Sequence, residues 1–239
     1  MSISQKIREL ITRLLVRFGH VKSAPVKLSE IELMINNWLP EIFEIEIAGG
    51  DAELEILNID LNVCKEQKIQ QNLKAVLFCN FKVKNNNSVI FNTHLNIEIN
   101  AEPDYFCEYK SIGVTNAKLV KIDLINDKDS FIKDVSNLAN GFLPTPLKGI
   151  FNIAMASSTA LLGEEMVSGM TRYLSIYNSG NQQKIIDYHH KDIENKIIDI
   201  SNDSEMRYLL DESDFEEKLF SDYGKKIKVE NDQLLFYFE

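Results

Sequence analysis

The fold is decided by residues 73–99, which read LKAVLFCNFKVKNNNSVIFNTHLNIEI. Two runs of alternating apolar and polar residues flank a turn-forming stretch, Asn85-Asn86-Asn87-Ser88. The apolar positions are Leu73, Ala75, Leu77, Cys79, Phe81 and Val83, then Val89, Phe91, Thr93, Leu95, Ile97 and Ile99. Such regular twofold alternation predicts one buried and one wet face, which is typical of antiparallel rather than parallel sheets.

The alternation continues on both sides of this hairpin. Leu54 and Ile56 are in one phase, and Leu57, Ile59, Leu61 and Val63 are in the other. A slip of one residue predicts a β-bulge near Ile56. Further on, Tyr105 to Tyr109 indicate a short strand, and residues 112–124 indicate another. We therefore expect one large antiparallel sheet with His94 on its polar, exposed face.

Helical periodicity predicts what covers the sheet. A second helix is expected from Ser29, with Glu32 completing a capping box, up to Pro40. Leu147 to Leu162 form an uncharged segment that, as a helix, must be buried on most sides. The predicted fold class is α+β, with a curved antiparallel sheet wrapping this long apolar helical segment. Residues 25–239 are expected to form one domain with a polar helical insertion at about 165–205, and the polar residues 178–206 are interpreted as solvated.

Residues 1–24 predict a separate basic amphipathic helix that stops at Gly19. Its apolar residues share one face, and most of its charged residues share the other. Three interpretations are open: an anchor in an anionic membrane interface, a helix docked on its own domain or on a partner, or an Arg-rich targeting segment. The candidate membrane-contact residues are Ile7, Leu10, Arg13, Leu14, Arg17 and Phe18.

The charge distribution limits the choice of partner. The chain has a net charge of −10, which argues against nucleic acid because phosphate contacts need clustered Lys and Arg. Residues 1–24 carry five cations against Glu9, a net +4, so residues 25–239 carry −14. A basic helix is therefore joined to an acidic body.

Enzyme and metal signatures are lacking in the sequence. No GxGxxG, GxxxxGK[ST] or GxSxG motif occurs, so we expect neither a catalytic residue nor a cofactor. Cys64, Cys79 and Cys107 form no CxxC pair, and each is expected to be a small buried apolar residue in a strand. The adjacent His189 and His190 must point to different faces of a helix, which disfavours a metal site.

The order of elements resembles a known family. A capped helix, Lys27-Leu28-Ser29-Glu30-Ile31-Glu32-Leu33-Met34-Ile35, leads into alternating strands, and the chain ends in Lys226-Ile227-Lys228-Val229-Glu230-Asn231-Asp232-Gln233-Leu234-Leu235-Phe236-Tyr237-Phe238. Together with a meander through Ala101 to Tyr105, this is similar to the YceB-like bacterial lipoprotein family, whose fold is similar to one half of the tubular lipid-binding (TULIP) superfamily. The likeness covers about residues 27–148 and 206–239.

The resemblance implies that a final strand, Ile227 to Phe238, joins and closes the sheet, and that the long helical segment lies in its concavity. Family members are typically exported and acylated at a Cys. This sequence instead has a basic amphipathic helix, no lipobox and extra residues at about 165–205. We therefore expect a cytoplasmic or peripheral membrane location, with an envelope location implied by the resemblance alone.

The predicted function is non-enzymatic binding of a lipid or other long apolar ligand between sheet and helix. Apolar side chains would hold it by removing its surface from water. The candidate lining residues are Leu77, Phe81, Phe91, Leu95, Phe142, Phe151 and Met155. The alternative is an interaction or scaffold module with a closed core, whose acidic surface and segment 178–206 recruit a protein partner.

Overall fold

The structure, a computed structural model of the 239-residue chain, describes residues 3–47, 50–64, 72–85, 88–125, 130–132, 175–177 and 179–238. It is an α+β protein with a seven-stranded and a three-stranded antiparallel sheet. The described helices are α1 (Ile3–Arg17), α2 (Leu28–Asn36), α3 (Gln182–Asn202) and α4 (Phe215–Tyr223), and a 3-10 turn spans Ser204–Met206. The strands are β1 (Ser23–Lys27), β2 (Glu41–Ile47), β3 (Gly50–Cys64), β4 (Asn72–Asn85), β5 (Ser88–Phe106), β6 (Ser111–Ile125), β7 (Phe131–Ile132), β8 (Tyr208–Leu209), β9 (Lys226–Glu230) and β10 (Gln233–Tyr237).

The larger sheet is built around the predicted hairpin. Its strand order is β2-β3-β4-β5-β6-β8, and β7 pairs with β5. In the β4–β5 pair, Phe81 lies opposite Thr93 and Leu77 lies opposite Ile97, so the apolar positions of the two strands share one face. The large antiparallel sheet is thus confirmed.

The predicted bulge is also confirmed. The β3–β4 register shifts between Ile56 and Asn58. Leu54 before the shift pairs with Phe81, and Leu61 after it pairs with Ala75, so both lie on the apolar face. Without the extra residue, the apolar set of one half of β3 would point to the polar side.

Helix α3 covers one part of the apolar face. It packs against β6 and β2, and its buried side chains join the strand residues in one cluster. Asn181 caps its first turn by accepting from the backbone N–H of Lys184. The inward residues are Ile185, Ile186, His189, Ile193 and Ile197. The prediction of a solvated helix is therefore wrong for this face, because a stripe of apolar residues at helical spacing is buried against the sheet.

A second cluster covers the other part of the same face. Leu61 and Tyr105 contribute from the long strands, and α1, α2, α4 and the small sheet contribute the remainder. The small sheet has the order β1-β10-β9, with an antiparallel hairpin that turns at Asn231 and Asp232, both of which have positive φ. The expected single strand Ile227 to Phe238 is therefore a hairpin in a separate sheet, and it does not close the larger one.

Helix α2 occupies the edge of β3 that β2 leaves uncovered. The β2–β3 pairing reaches only to Ile56. Beyond it, Asn36 donates to the carbonyl of Ile59 and accepts from its N–H, both at 2.8 Å, and Glu32 accepts from the N–H of Leu61 at 2.8 Å. The predicted capping box is wrong: the helix begins at Leu28 without a side-chain cap, and the Glu32 carboxylate serves the strand instead.

Two further expectations concern the cysteines and the apolar segment. Cys64 and Cys79 are buried as predicted, but Cys107 is exposed because residues 107–110 form a turn between β5 and β6 rather than a strand. The predicted apolar helical segment Leu147 to Leu162 lies outside the described residues.

We predict that Asn36→Ala lowers the free energy of unfolding by about 1–3 kcal/mol, because it leaves a half-buried backbone N–H and C=O of β3 unpaired. Urea denaturation followed by circular dichroism measures the change. Asn37→Ala is the matched control, since the neighbouring side chain is exposed and is expected to change stability by less than about 0.5 kcal/mol. Equal effects of the two substitutions would contradict this role for Asn36.

Candidate functional site

Helix α1 is attached to the body by its polar side. Val16 is only 4% exposed and belongs to the same cluster as Leu219 and Phe220 of α4. Glu9, Thr12 and Arg13, which lie on the same side of the helix as Val16, are partly buried. The helix ends at Arg17, and Gly19 follows it with a φ of 70°, which suits a glycine just after a helix terminus.

The apolar side of α1 faces solvent. Its six large apolar side chains are between 39% and 68% exposed: Ile7, Leu10, Ile11, Leu14, Leu15 and Phe18. A helix that packs on its own domain normally has the opposite orientation, with apolar residues inward. The helix is docked on its own domain, but through the side that carries Val16 rather than through its apolar face.

Arginines flank the exposed apolar face. Arg8 and Arg17 are exposed and lie on either side of it around the helix. Neither makes an ion pair with the described part of the chain. Arg13, the other cation among the predicted membrane-contact residues, is half-buried on the side turned to the body. Predicted contacts Ile7, Leu10, Leu14, Arg17 and Phe18 thus share one accessible surface, and Arg13 lies behind it.

The predicted apolar ligand site is brought together only in part. Leu77, Phe81, Phe91 and Leu95 lie on one face of β4 and β5, and each is at most 5% exposed. The rings of Phe81 and Phe91 meet edge to face at 6.3 Å. All four belong to the cluster that includes α3, so side chains of the helix pack where a ligand was expected. Phe142, Phe151 and Met155 lie outside the described residues.

An open cleft lies elsewhere, where α2 begins beside the β9–β10 turn. It has a volume of about 570 Å³ and is lined mainly by polar residues, among them Lys27, Ser29, Asn62 and Asp232. None of the predicted apolar lining residues borders it. Its polar lining makes it unsuited to a long apolar ligand.

Tyr177 and two side chains of α3 are linked by hydrogen bonds. The Tyr177 hydroxyl lies 2.9 Å from His189 Nε2, and His189 Nδ1 lies 3.1 Å from Asp192 Oδ2. Because a carboxylate only accepts, Nδ1 carries the proton donated to Asp192, and Nε2 accepts from the tyrosine. Rings of Phe81 and Tyr188 pack against the imidazole at 5.9 and 5.0 Å.

Tyr177 and His189 of this group are buried, whereas the Asp192 side chain is 36% exposed. His189 is fully buried, and burial lowers its pKa even though its hydrogen bond to Asp192 acts to raise it, so the imidazole is neutral at pH 7. Cys79 in the same cluster has its pKa raised to about 12 by burial, which keeps it a thiol rather than a nucleophilic thiolate. The arrangement ties Tyr177 to α3 within the core of the larger sheet.

Sequence reasoning missed this role of His189. The histidine pair was considered only as metal ligands. The structure buries His189 and exposes His190, in agreement with the expectation that the two point to different faces. The available signal was the spacing of His189 from Ile185, Ile186 and Ile193, which puts it on the inward face.

Comparison with known proteins does not assign the chain: no protein-family model matches it, and no curated protein matches it. Within the described ranges, no helix is long and apolar enough to cross a membrane. Nor do three or more His, Cys, Asp or Glu side chains of the described residues gather in a way that could hold a metal ion.

We predict that His189 makes the protein less stable in weak acid. Its pKa is lowered in the folded state, so below about pH 6.5 the unfolded chain binds a proton that the folded chain does not. The free energy of unfolding therefore falls as the pH drops. His189→Gln, which keeps a donor and an acceptor but does not titrate, is expected to flatten this dependence between about pH 7 and pH 5.

Urea denaturation at several pH values measures the effect. His190→Gln is the matched control, because the adjacent imidazole is exposed and is expected to leave the slope as in the unmodified protein. An identical pH dependence in the His189→Gln protein would contradict the assignment.

Proposed function

We propose that this chain is a non-enzymatic protein that binds the surface of an anionic membrane through α1. The observation that carries the proposal is the orientation of the helix: its polar side is attached to the body, and its apolar side is turned to solvent. An amphipathic helix of this kind lies in the plane of the interface, with its apolar face buried at the boundary between headgroups and acyl chains.

The free energies available to α1 favour reversible binding to the membrane. Removing half of a Leu, Ile or Phe side chain from water is worth roughly 1 kcal/mol, and six such side chains are available on α1. Each Arg near an anionic surface adds about 1 kcal/mol. Because α1 is already folded and held at Val16, binding does not have to order the helix.

The distribution of charge over the protein favours an anionic membrane, rather than a neutral apolar partner, as the surface that α1 binds. Arg8 and Arg17 flank the apolar face, where guanidinium groups can reach lipid headgroups while their aliphatic stems cover apolar surface. The body, residues 25–239, carries −14 and is repelled by anionic lipid. The protein is therefore expected to approach with α1 foremost and to keep its acidic surface away from the bilayer.

We predict that Leu14→Glu abolishes co-sedimentation with vesicles of phosphatidylcholine and phosphatidylglycerol, because it places a carboxylate in the middle of the inserting face. Val120→Glu is the matched control: Val120 is 51% exposed on β6, away from α1, and its replacement is expected to leave binding intact. Circular dichroism checks that both variants fold.

The contribution of charge to vesicle binding is measured separately. Arg8→Glu combined with Arg17→Glu is expected to weaken binding to these vesicles strongly, and added salt is expected to weaken binding of the unmodified protein. An intact protein that stays in the supernatant with anionic vesicles, or a Leu14→Glu protein that still sediments, would contradict the proposal.

The interior of the larger sheet is a second candidate lipid site. We propose it on one observation: α3 packs against both β2 and β6, so strands at both sides of the sheet meet one helix over a continuous apolar face. In the TULIP-like interpretation an apolar ligand would lie between sheet and helices, where it would replace part of the packing of α3 on Leu77, Phe81, Phe91 and Leu95.

We predict that the protein, purified without detergent, carries an apolar molecule. Native mass spectrometry is expected to show a species heavier than the chain by the mass of one lipid, and solvent extraction is expected to release that lipid. A single species at the mass of the chain, with no lipid in the extract, would show that the side chains of the protein fill this interior themselves.

A further inference from the structure

Strand β2 is an open edge of the larger sheet. It pairs with β3 over all seven of its residues, Glu41–Ile47, without a shift of register. On its other side, no backbone hydrogen bond joins it to a described residue. Because alternate residues of an antiparallel strand turn their N–H and C=O groups to the same side, β2 presents a row of donors and acceptors there for a further strand.

The other strands at the edges of the two sheets are each protected against such pairing. Strand β1 contains Pro25, and β7 and β8 have two residues each. Strand β9 carries Lys226 and Lys228 and contacts β5. Strand β6 carries Lys118 and Lys121, and its register against β5 shifts twice. Proline, lysine, bulges and short length all discourage the addition of a strand, and β2 has none of these features.

The inner side of β2 continues the apolar face of the sheet. Ile45 is buried in the cluster that includes α3, and Phe43 and Ile47 pack against the same cluster but are only half-buried. Since side chains of neighbouring strands lie side by side on one face, a strand added to β2 would cover these two residues with its own inward side chains. Those inward side chains are therefore expected to be apolar.

The outer side of β2 has an excess of negative charge. Glu44 lies directly opposite Glu53, and the next pair on this face is Glu46 with Asp51. Like charges in this position destabilise a strand pair, and of the four carboxylates Glu53 forms an ion pair with Lys84. The other three are exposed and form no ion pair with a described residue. Cations on an added strand are therefore the complement of this side.

We propose that β2 binds an extended segment of a partner protein in which lysine or arginine alternates with apolar residues. The segment adds an eighth strand to the larger sheet, held by main-chain hydrogen bonds to β2. Its apolar side chains cover Phe43 and Ile47, and its cations face Glu44 and Glu46. The β2 strand of a second copy does not fit, because it would bring glutamates against glutamates.

The site on β2 is separate from the proposed membrane contact. Strand β2 packs with the cluster that includes α3, whereas α1 packs with the second cluster. A partner bound at β2 therefore leaves the apolar face of α1 available to lipid, and the two kinds of binding are measured independently.

A synthetic peptide of alternating lysine and valine, matched in length to β2, blocked at both ends and labelled with a fluorophore, tests the proposal on the intact protein. Fluorescence anisotropy measures the dissociation constant. Hydrogen–deuterium exchange at the amides of β2 is expected to slow when the peptide is bound. An absence of binding, or protection confined to amides outside β2, would overturn the proposal.

The role of charge is tested with a charge reversal. The pair Glu44→Lys with Glu46→Lys is expected to raise the dissociation constant at least about tenfold and to bind instead a peptide with glutamate in place of lysine. The pair Glu205→Lys with Glu216→Lys is the matched control, because it changes the net charge equally at exposed positions outside the sheets and is expected to alter the dissociation constant by less than about threefold. Equal effects of the two pairs would contradict binding at β2.

The role of the backbone is tested on the unmodified protein. One peptide is methylated on the backbone nitrogens of its lysines, and another on those of its valines. Alternate N–H groups of a strand point to the same side, so one of the two peptides is expected to bind at least about tenfold more weakly. Unchanged binding of both would show that charge alone attracts the peptide and would overturn the proposal. Leu14→Glu is expected to bind the unmethylated peptide normally, which separates this site from the membrane contact.

Discussion

The pairing of β4 with β5 is the contact on which the rest of the structure depends. It brings two runs of alternating residues into one register, so Phe81, Thr93, Leu77 and Ile97 all lie on the same face. A shift by one residue would move every one of these side chains to the polar side. The neighbours β3 and β6 extend this face, and the bulge after Ile56 keeps the apolar residues of β3 on it.

The length of these strands explains why the face has two covers. Strand β5 has 19 residues and extends over roughly 60 Å, about twice the length of the 21-residue helix α3. One helix therefore leaves the ends near Leu61 and Tyr105 uncovered, and the small sheet with α1, α2 and α4 buries them instead. Ile59 and Ala75 contact both clusters and join them into one core.

The large sheet could be predicted from the sequence because side-chain alternation reports directly on burial. Strand β2, Glu41–Ile47, was missed although it alternates too; its seven residues follow a helix and lack the length of its neighbours. The C-terminal hairpin was predicted as one strand because the Asn231-Asp232 turn was not recognised, although Asn and Asp readily adopt the positive φ of two-residue turns. Which sheet a strand joins depends on distant pairings, such as Pro25 with Leu235, that no local pattern encodes.

Burial of the helices was harder to predict, because an amphipathic pattern does not say what its apolar face meets. Helices α1 and α3 both have an apolar stripe opposite charged residues, yet α3 turns its stripe to the sheet and α1 turns its stripe to solvent. In α1 the buried residue is Val16, on the polar side, which fills a position in the second cluster, while Leu10, Leu14 and Phe18 on the opposite side are exposed. Helix α3 also has an apolar residue, Ile198, on its polar side and still buries its main stripe, so the pattern alone does not say which side of such a helix meets the body.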